Sequence, residues 1–162
     1  MILVKHQGGF RILLTFIVAL ILTIVPLPQW AETLRPQWVA LVLIYWVIAI
    51  PDRVGVLIAW VVGLFFDVAS GALLGQNAIA MAFIAYLAIK LHLRIRIFPL
   101  WQQATSILIL IALYQLITLW IKGMTGITAQ GFSYWLPSIT SMLVWPPVYL
   151  VMRAYRRYYK IR

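Results

Sequence analysis

In the stretch WVVGLFFDVASGALLGQNAIA, residues 60–80, one carboxylate, Asp67, stands among apolar side chains and glycines. A carboxyl group in such a place can share a proton with a second acid, ligate a metal, or accept hydrogen bonds from a neighbouring segment. A proton-sharing dyad needs a second carboxyl within a few ångströms. The chain has only three acidic residues, and the other two, Glu32 and Asp52, fall in polar segments between apolar runs. A catalytic metal needs clustered ligands, yet cysteine is absent and the two histidines, His6 and His92, lie in separate segments. No serine occupies a nucleophile elbow, and no Gly-Lys-Ser phosphate loop occurs. These residue types argue against an enzyme, and neither a metal nor a cofactor is expected. What remains for Asp67 is hydrogen bonding, ion coupling or partner binding.

The elements that must position Asp67 follow from the solvent the chain is built for. Of 162 residues, 65% are hydrophobic and 10% charged, with a mean hydropathy of +1.00. Soluble domains run at roughly 45–50% apolar and about 25% charged, so this composition cannot clothe a globule in polar surface. The chain reads as an all-α integral membrane protein, a single transmembrane domain over residues 1–162. Thirteen Lys and Arg against three acids give a net charge of +10. Because these residues sit between apolar runs, they read as topology signals and phospholipid contacts rather than as a nucleic-acid surface. Lys5 and Arg11 precede the first apolar run, but Pro26, Pro28, Gln29 and Trp30 follow it with no small-x-small cleavage site, so it reads as an uncleaved span.

A spanning helix needs about 20 apolar residues. Charge, Pro and Gly divide the chain into six candidates: about 10–27, 34–50, 54–74, 77–91, 100–121 and 134–152, followed by a basic tail over 153–162. The second is short, its apolar run confined to Trp38–Ile50, and either begins near Leu34 or fails to cross fully. Asn77 reads as the N-cap of the fourth. With six spans, eleven of the thirteen basic residues fall on one side and two on the other. The positive-inside rule then puts both termini in the cytoplasm. Trp30, Trp38, Trp101, Trp135 and Trp145, with Tyr155, Tyr158 and Tyr159, lie near span ends, at the depth aromatic rings prefer.

On a helical third span, Ala59, Gly63, Asp67, Ser70 and Gly71 share one face. Small side chains admit a neighbouring backbone, so this face is a candidate for helix packing or for a partner helix, with Ala59 the place where a partner would touch. A carboxylate in the bilayer costs at least ~2.5–3.5 kcal/mol, so Asp67, facing protein or a water-filled cavity, should be partnered or protonated. The pattern from Gly71 to Gly75 reads better as a turn than as a dimerisation motif. Ala78, Ala82, Ala85 and Ala88 give the fourth span a slim face, so spans three and four should form a hairpin. Gln115 and Thr118, beside Tyr114, lie near the middle of the fifth span. They can line a cavity with Asp67 or hydrogen-bond between helices. In the tail, Arg153, Arg156, Arg157 and Lys160 share one helical face, suited to the membrane surface or to a cytoplasmic partner.

The order of these motifs resembles the rod shape-determining protein MreD family, in its enterobacterial form. Gly63, Asp67, Ser70, Gly71, Leu74 and Gly75 match its glycine, aspartate and small-residue turn ending in Leu-Gly. LRPQWVALVLIYW (34–46), LWQQA (100–104) and VWPPVYLVMRAYRR (144–157) resemble other parts of the family, so most of the chain is covered. The resemblance implies an inner-membrane, non-enzymatic scaffold of the cell-elongation complex. It implies binding of the single-span protein MreC and indirect links to MreB filaments, RodZ and the elongation-specific wall synthases, with higher-order or homo-oligomeric assembly. It also implies a six-helix fold similar to the substrate-binding component of energy-coupling factor transporters, which keeps a small-molecule-binding or carrier subunit as the alternative.

Overall fold

The computed structural model describes residues 9–26, 28, 34–51, 54–71, 74–124, 126 and 135–158. Within them the chain forms six helices: α1 Gly9–Ile24, α2 Trp38–Ala49, α3 Val56–Ser70, α4 Gln76–Ile97, α5 Leu100–Met124 and α6 Leu136–Tyr158. Glu32, Asp52, Arg53, Trp30, Tyr159 and Lys160 lie outside the described residues.

The helix ends have local causes. α1 stops ahead of Pro26, and Arg35 folds back to donate to the carbonyls of Leu22, Thr23 and Val25. A cation at the C-terminal end gives the orphaned carbonyls partners and answers their partial negative charge. α4 runs past the expected end at Leu91 to Ile97, because nothing breaks it until Phe98, whose backbone is extended ahead of Pro99. Lys90, His92, Arg94 and Arg96 are therefore helical, not a loop. α6 likewise continues through Arg153, Arg156 and Arg157, and carries Pro146 and Pro147 inside it.

α2 departs most from the expected second span. Its 12 residues rise only about 18 Å, against a hydrocarbon core of roughly 30 Å. Residues 34–37 are not helical. The helix is short because it is interior: Val39 through Ile48 are all buried, with α1, α4, α5 and α6 around them. A helix apolar on every side belongs inside the bundle, and its length is then set by its neighbours rather than by lipid. The Gln37 amide, just ahead of the helix, donates to Ser141 Oγ on α6 at 2.9 Å. Trp46 donates its indole N–H to Thr15 Oγ1 on α1 at 2.9 Å.

Polarity is inverted relative to a soluble fold. Leu57, Phe65, Val68, Leu143 and Val151 face outward, whereas Asp67, Asn77, Gln103, Gln115, Ser138 and Ser141 are buried. Hydrocarbon solvates the first set and rejects the second, which is the arrangement a membrane protein requires. By length and composition, α4 and α5 can each cross a membrane, and α1, α2 and α3 are shorter apolar helices. As the alanine pattern suggested, α3 and α4 form a tightly packed hairpin. Ala78, Ala85 and Ala88 are fully buried, while Ala82 is half-buried and Ala80 joins the interior instead.

Candidate functional site

The α3–α4 turn is built by glycine at both ends. Gly71 closes α3 at φ 72° and Gly75 opens α4 at φ 98°, a region that costs other residues about 1–2 kcal/mol. Gly75, not Asn77, is the N-cap of α4, and it has no side chain with which to cap. Asp67 supplies the missing acceptor from the preceding helix. Its Oδ2 accepts the Gly75 N–H at 2.8 Å and the Ala78 N–H at 3.4 Å. Its Oδ1 accepts the Asn77 backbone N–H and the Asn77 Nδ2–H, each at 2.8 Å.

This arrangement explains how a fully buried carboxylate is tolerated. The first amides of a helix are donors without internal partners, and their aligned dipoles amount to about half a positive charge. Asp67 answers both the missing acceptors and the partial charge. It can do so because Gly63, one turn earlier on the same face, lets the first turn of α4 rest on the backbone of α3. A Cβ at Gly63 would fall 2.3 Å from Ala78 Cα and 2.7 Å from Ala78 N. Close approach and capping are one device.

The network reaches a third helix through Asn77, whose Oδ1 accepts the Tyr114 hydroxyl of α5. Removing that donor should cost a modest amount: Tyr114→Phe is expected to destabilise by about 1 kcal/mol, the usual worth of one buried neutral hydrogen bond. Thermal unfolding in detergent checks this, and an unshifted melting temperature would show that the α4–α5 link carries no stability.

The other candidate residues separate into distinct roles. Ala59 is fully buried within the chain, so the small-residue face is filled by the hairpin rather than held open for a partner. Ser70 is exposed and donates to the Phe66 carbonyl of its own helix at 2.8 Å, leaving it off the packed face. Gln115 and Thr118 are buried: Ser138 of α6 donates to Gln115 Oε1, joining α5 to α6, and Thr118 donates to the Gln115 carbonyl within α5 at 2.9 Å. For Gln115, of the two readings open, interhelical hydrogen bonding is the one the geometry favours. Trp145, expected near the membrane interface, is fully buried and donates its indole N–H to Gln103 Oε1 at 3.3 Å. Gln103 in turn donates to the Ile95 carbonyl at 3.0 Å, near the end of α4.

Asn77, Tyr114, Gln103 and Arg96 are structural participants that spacing alone did not single out in these roles. Asn77 was detectable as a helix-start residue, but its bond to Asp67 depends on how α3 lies beside α4. Gln103 and Arg96 act across chain turns that leave no periodic trace. Among the described residues no group of three or more His, Asp or Glu side chains could hold a metal ion.

Two open spaces bear on function. One, of about 680 Å³, lies at the basic end of the bundle and includes Arg96, Arg153, Arg156 and Arg157 in its lining. The other is a lateral groove of about 630 Å³ between α1, α2 and α6, walled mainly by Leu14, Val18, Leu22, Trp38, Val148 and Val151.

Comparison with known proteins gives this geometry its family. The model of the family described as rod shape-determining protein MreD matches residues 5–155. The rod shape-determining protein MreD of Haemophilus influenzae is 34% identical over 155 residues, covering 94% of each chain. No solved structure matches the chain. A match over nearly the full length, with Gly63, Asp67 and the Gly71–Gly75 turn working as one packing unit, means that this chain belongs to the MreD family of rod shape-determining proteins.

Proposed function

We propose that this chain is a non-enzymatic scaffold of the cell-elongation complex in the bacterial inner membrane. Both termini lie in the cytoplasm. It binds the membrane helix of the single-span protein MreC, and so helps couple MreB filaments on one side to wall synthesis on the other, with RodZ and the wall synthases as indirect partners. The observation that carries this reading is where space remains. The interior polar groups answer one another: Asp67 caps α4, Gln115 ties α5 to α6, and Thr118 bonds back to its own helix. The lateral groove between α1, α2 and α6 stays open and almost wholly apolar.

A single partner helix suits that groove. In lipid no hydrophobic drive brings helices together, so association depends on close packing and shared hydrogen bonds. Thr15, half-buried on α1, gives the groove a small residue at which a partner backbone can approach. The docking face is therefore assigned to α1, α2 and α6 instead of the Ala59–Ser70 face of α3. The carrier alternative asks for polar groups free to hold a solute, and Asp67, Gln115 and Thr118 are already engaged.

Filling the groove is the test. The double variant Val18→Trp/Val151→Trp, two exposed positions on its walls, is expected to lower co-purification of MreC in mild detergent on the order of tenfold, as loss of a central contact does. Leu57→Trp, on the lipid-facing side of α3, should leave co-purification unchanged. Equal recovery of MreC by both variants would remove the groove from the interface. Failure of the native chain to retain MreC would remove the scaffold reading itself.

A further inference from the structure

The basic end of the bundle holds a built cavity that the scaffold reading does not use. It opens where α2, α4 and α6 finish and α5 begins, and encloses about 680 Å³. Four guanidinium groups, from Arg96, Arg153, Arg156 and Arg157, line it, and no carboxylate does so among the described residues. Asp67, the one acid among them, lies about 30 Å away at the other end of α4 by helix rise. Behind the arginines is an aromatic wall: Tyr149 lies 5.8 Å from Tyr45 and 5.9 Å from Trp145, centroid to centroid.

The arginines are not equivalent. Arg96 donates to the carbonyls of Ile48 and Ala49 at 2.8 and 2.9 Å, capping the C-terminus of α2, and it is thereby fixed in place. Arg156 is half-buried beside Tyr45. Arg153 and Arg157 are exposed, one helical turn apart on α6, so both forks can reach the same mouth. The three helix C-termini here carry about half a negative charge each. Arg153 and Arg157 present two exposed guanidinium groups at the mouth, where they attract an anion.

We propose that this cavity binds a phosphate ester. Guanidinium groups match phosphate oxygens in paired, planar hydrogen bonds. The volume lies within the roughly 300–1,000 Å³ usual for small-ligand sites. Position favours the headgroup of an anionic membrane lipid as the source, because the cavity sits at the helix ends, where headgroups lie when the bundle is in a bilayer. A soluble phosphate ester is the other source of the same chemistry. An acidic protein segment is a different occupant, and would more naturally lie along the outer face of α6 than enter a concavity with an aromatic wall.

The test uses the full chain in a neutral detergent, titrated with cardiolipin or phosphatidylglycerol, with glycerol phosphate in parallel, and read by native mass spectrometry and by melting temperature. Arg153→Gln/Arg157→Gln should weaken lipid binding about tenfold or more. Lys90→Gln/Arg94→Gln removes the same charge from exposed positions near the same end but outside the cavity, and should change it less than twofold. If the two doubles lose binding equally, the attraction is general surface charge and the site does not exist. Arg153→Lys/Arg157→Lys keeps the charge and loses the fork, so several-fold weaker binding supports the phosphate site, and unchanged binding overturns it; this pair decides the matter if the glutamine double fails to accumulate. Glycerol phosphate binding as tightly as lipid assigns the site to a soluble ester. Tighter binding of a poly-glutamate peptide, with no response to either phosphate probe, overturns the proposal.

Discussion

Gly63→Ala should be close to a null variant, poorly accumulated and strongly destabilised in detergent. The added Cβ would lie 2.3 Å from Ala78 Cα and 2.9 Å from the Asn77 carbonyl carbon. Both are backbone atoms of α4's first turn, so no side-chain rotation relieves the clash. The two helices must separate, and in separating they draw the α4 amides away from Asp67. Overpacking commonly costs 1–3 kcal/mol, and loss of the cap adds to it, so about 3 kcal/mol or more is expected. Gly123→Ala in α5 is the matched control, because a Cβ there meets nothing within 4 Å. Removing a glycine from the last turn of a helix should be neutral or stabilise by up to about 1 kcal/mol. Melting temperatures and membrane yields of the two variants decide the matter. A Gly63→Ala protein that melts with the native chain would mean that α3 and α4 do not approach so closely.

Substitutions of Asp67 should rank by how many α4 donors they leave stranded. Asp67→Leu strands all four and should cost about 4 kcal/mol or more, since each buried donor without a partner costs roughly 1–3 kcal/mol. Asp67→Asn retains one oxygen, enough for the two contacts now made to Oδ1. It turns an NH2 group toward the Gly75 and Ala78 amides that Oδ2 now receives, setting donor against donor. It also withdraws the negative charge from the helix terminus, worth about 0.3–1 kcal/mol or more when partly buried. A loss of about 2 kcal/mol is therefore expected. The amide is milder than leucine and clearly worse than native. Hydrogen exchange over residues 75–79 should rise in the same order, which localises the effect at the α4 terminus. If Asp67→Asn melts as the native chain does and nevertheless loses MreC, the carboxylate serves the partner and not the hairpin.

Much of the Asp67 site could be read in advance, because it is local in sequence. Gly63, Asp67, Gly71 and Gly75 sit within 13 positions on one hairpin, and helical periodicity alone puts Gly63 and Asp67 on the same face. The cost of a carboxylate in hydrocarbon required partners for it, and partners within the turn were the nearest available. Which atoms accept which protons was not legible. That depends on the hairpin being close enough for α3 to cap α4, a distance set by Gly63 against Ala78. The reading of Asn77 as a cap for its own helix placed the right residue at the right end with the wrong partner.

Composition and periodicity by themselves determined that the chain is helical, apolar and basic, that its third and fourth helices pair through small residues, and that Asp67 faces away from lipid. These follow from local rules: the hydropathy of each run, the period of 3.6, the turn glycines and the sign of each charge. Only the tertiary structure decided that α2 is a short interior helix, that Ala59 is sealed inside while the groove of α1, α2 and α6 is open, and that Trp145 belongs to the interior. It also decided that Arg96 joins three arginines nearly sixty positions later in the chain to line one cavity. The reason is physical. In a membrane protein the inward and outward faces are both apolar, so hydrophobicity no longer distinguishes them, and only packing between helices distant in sequence determines which face is buried.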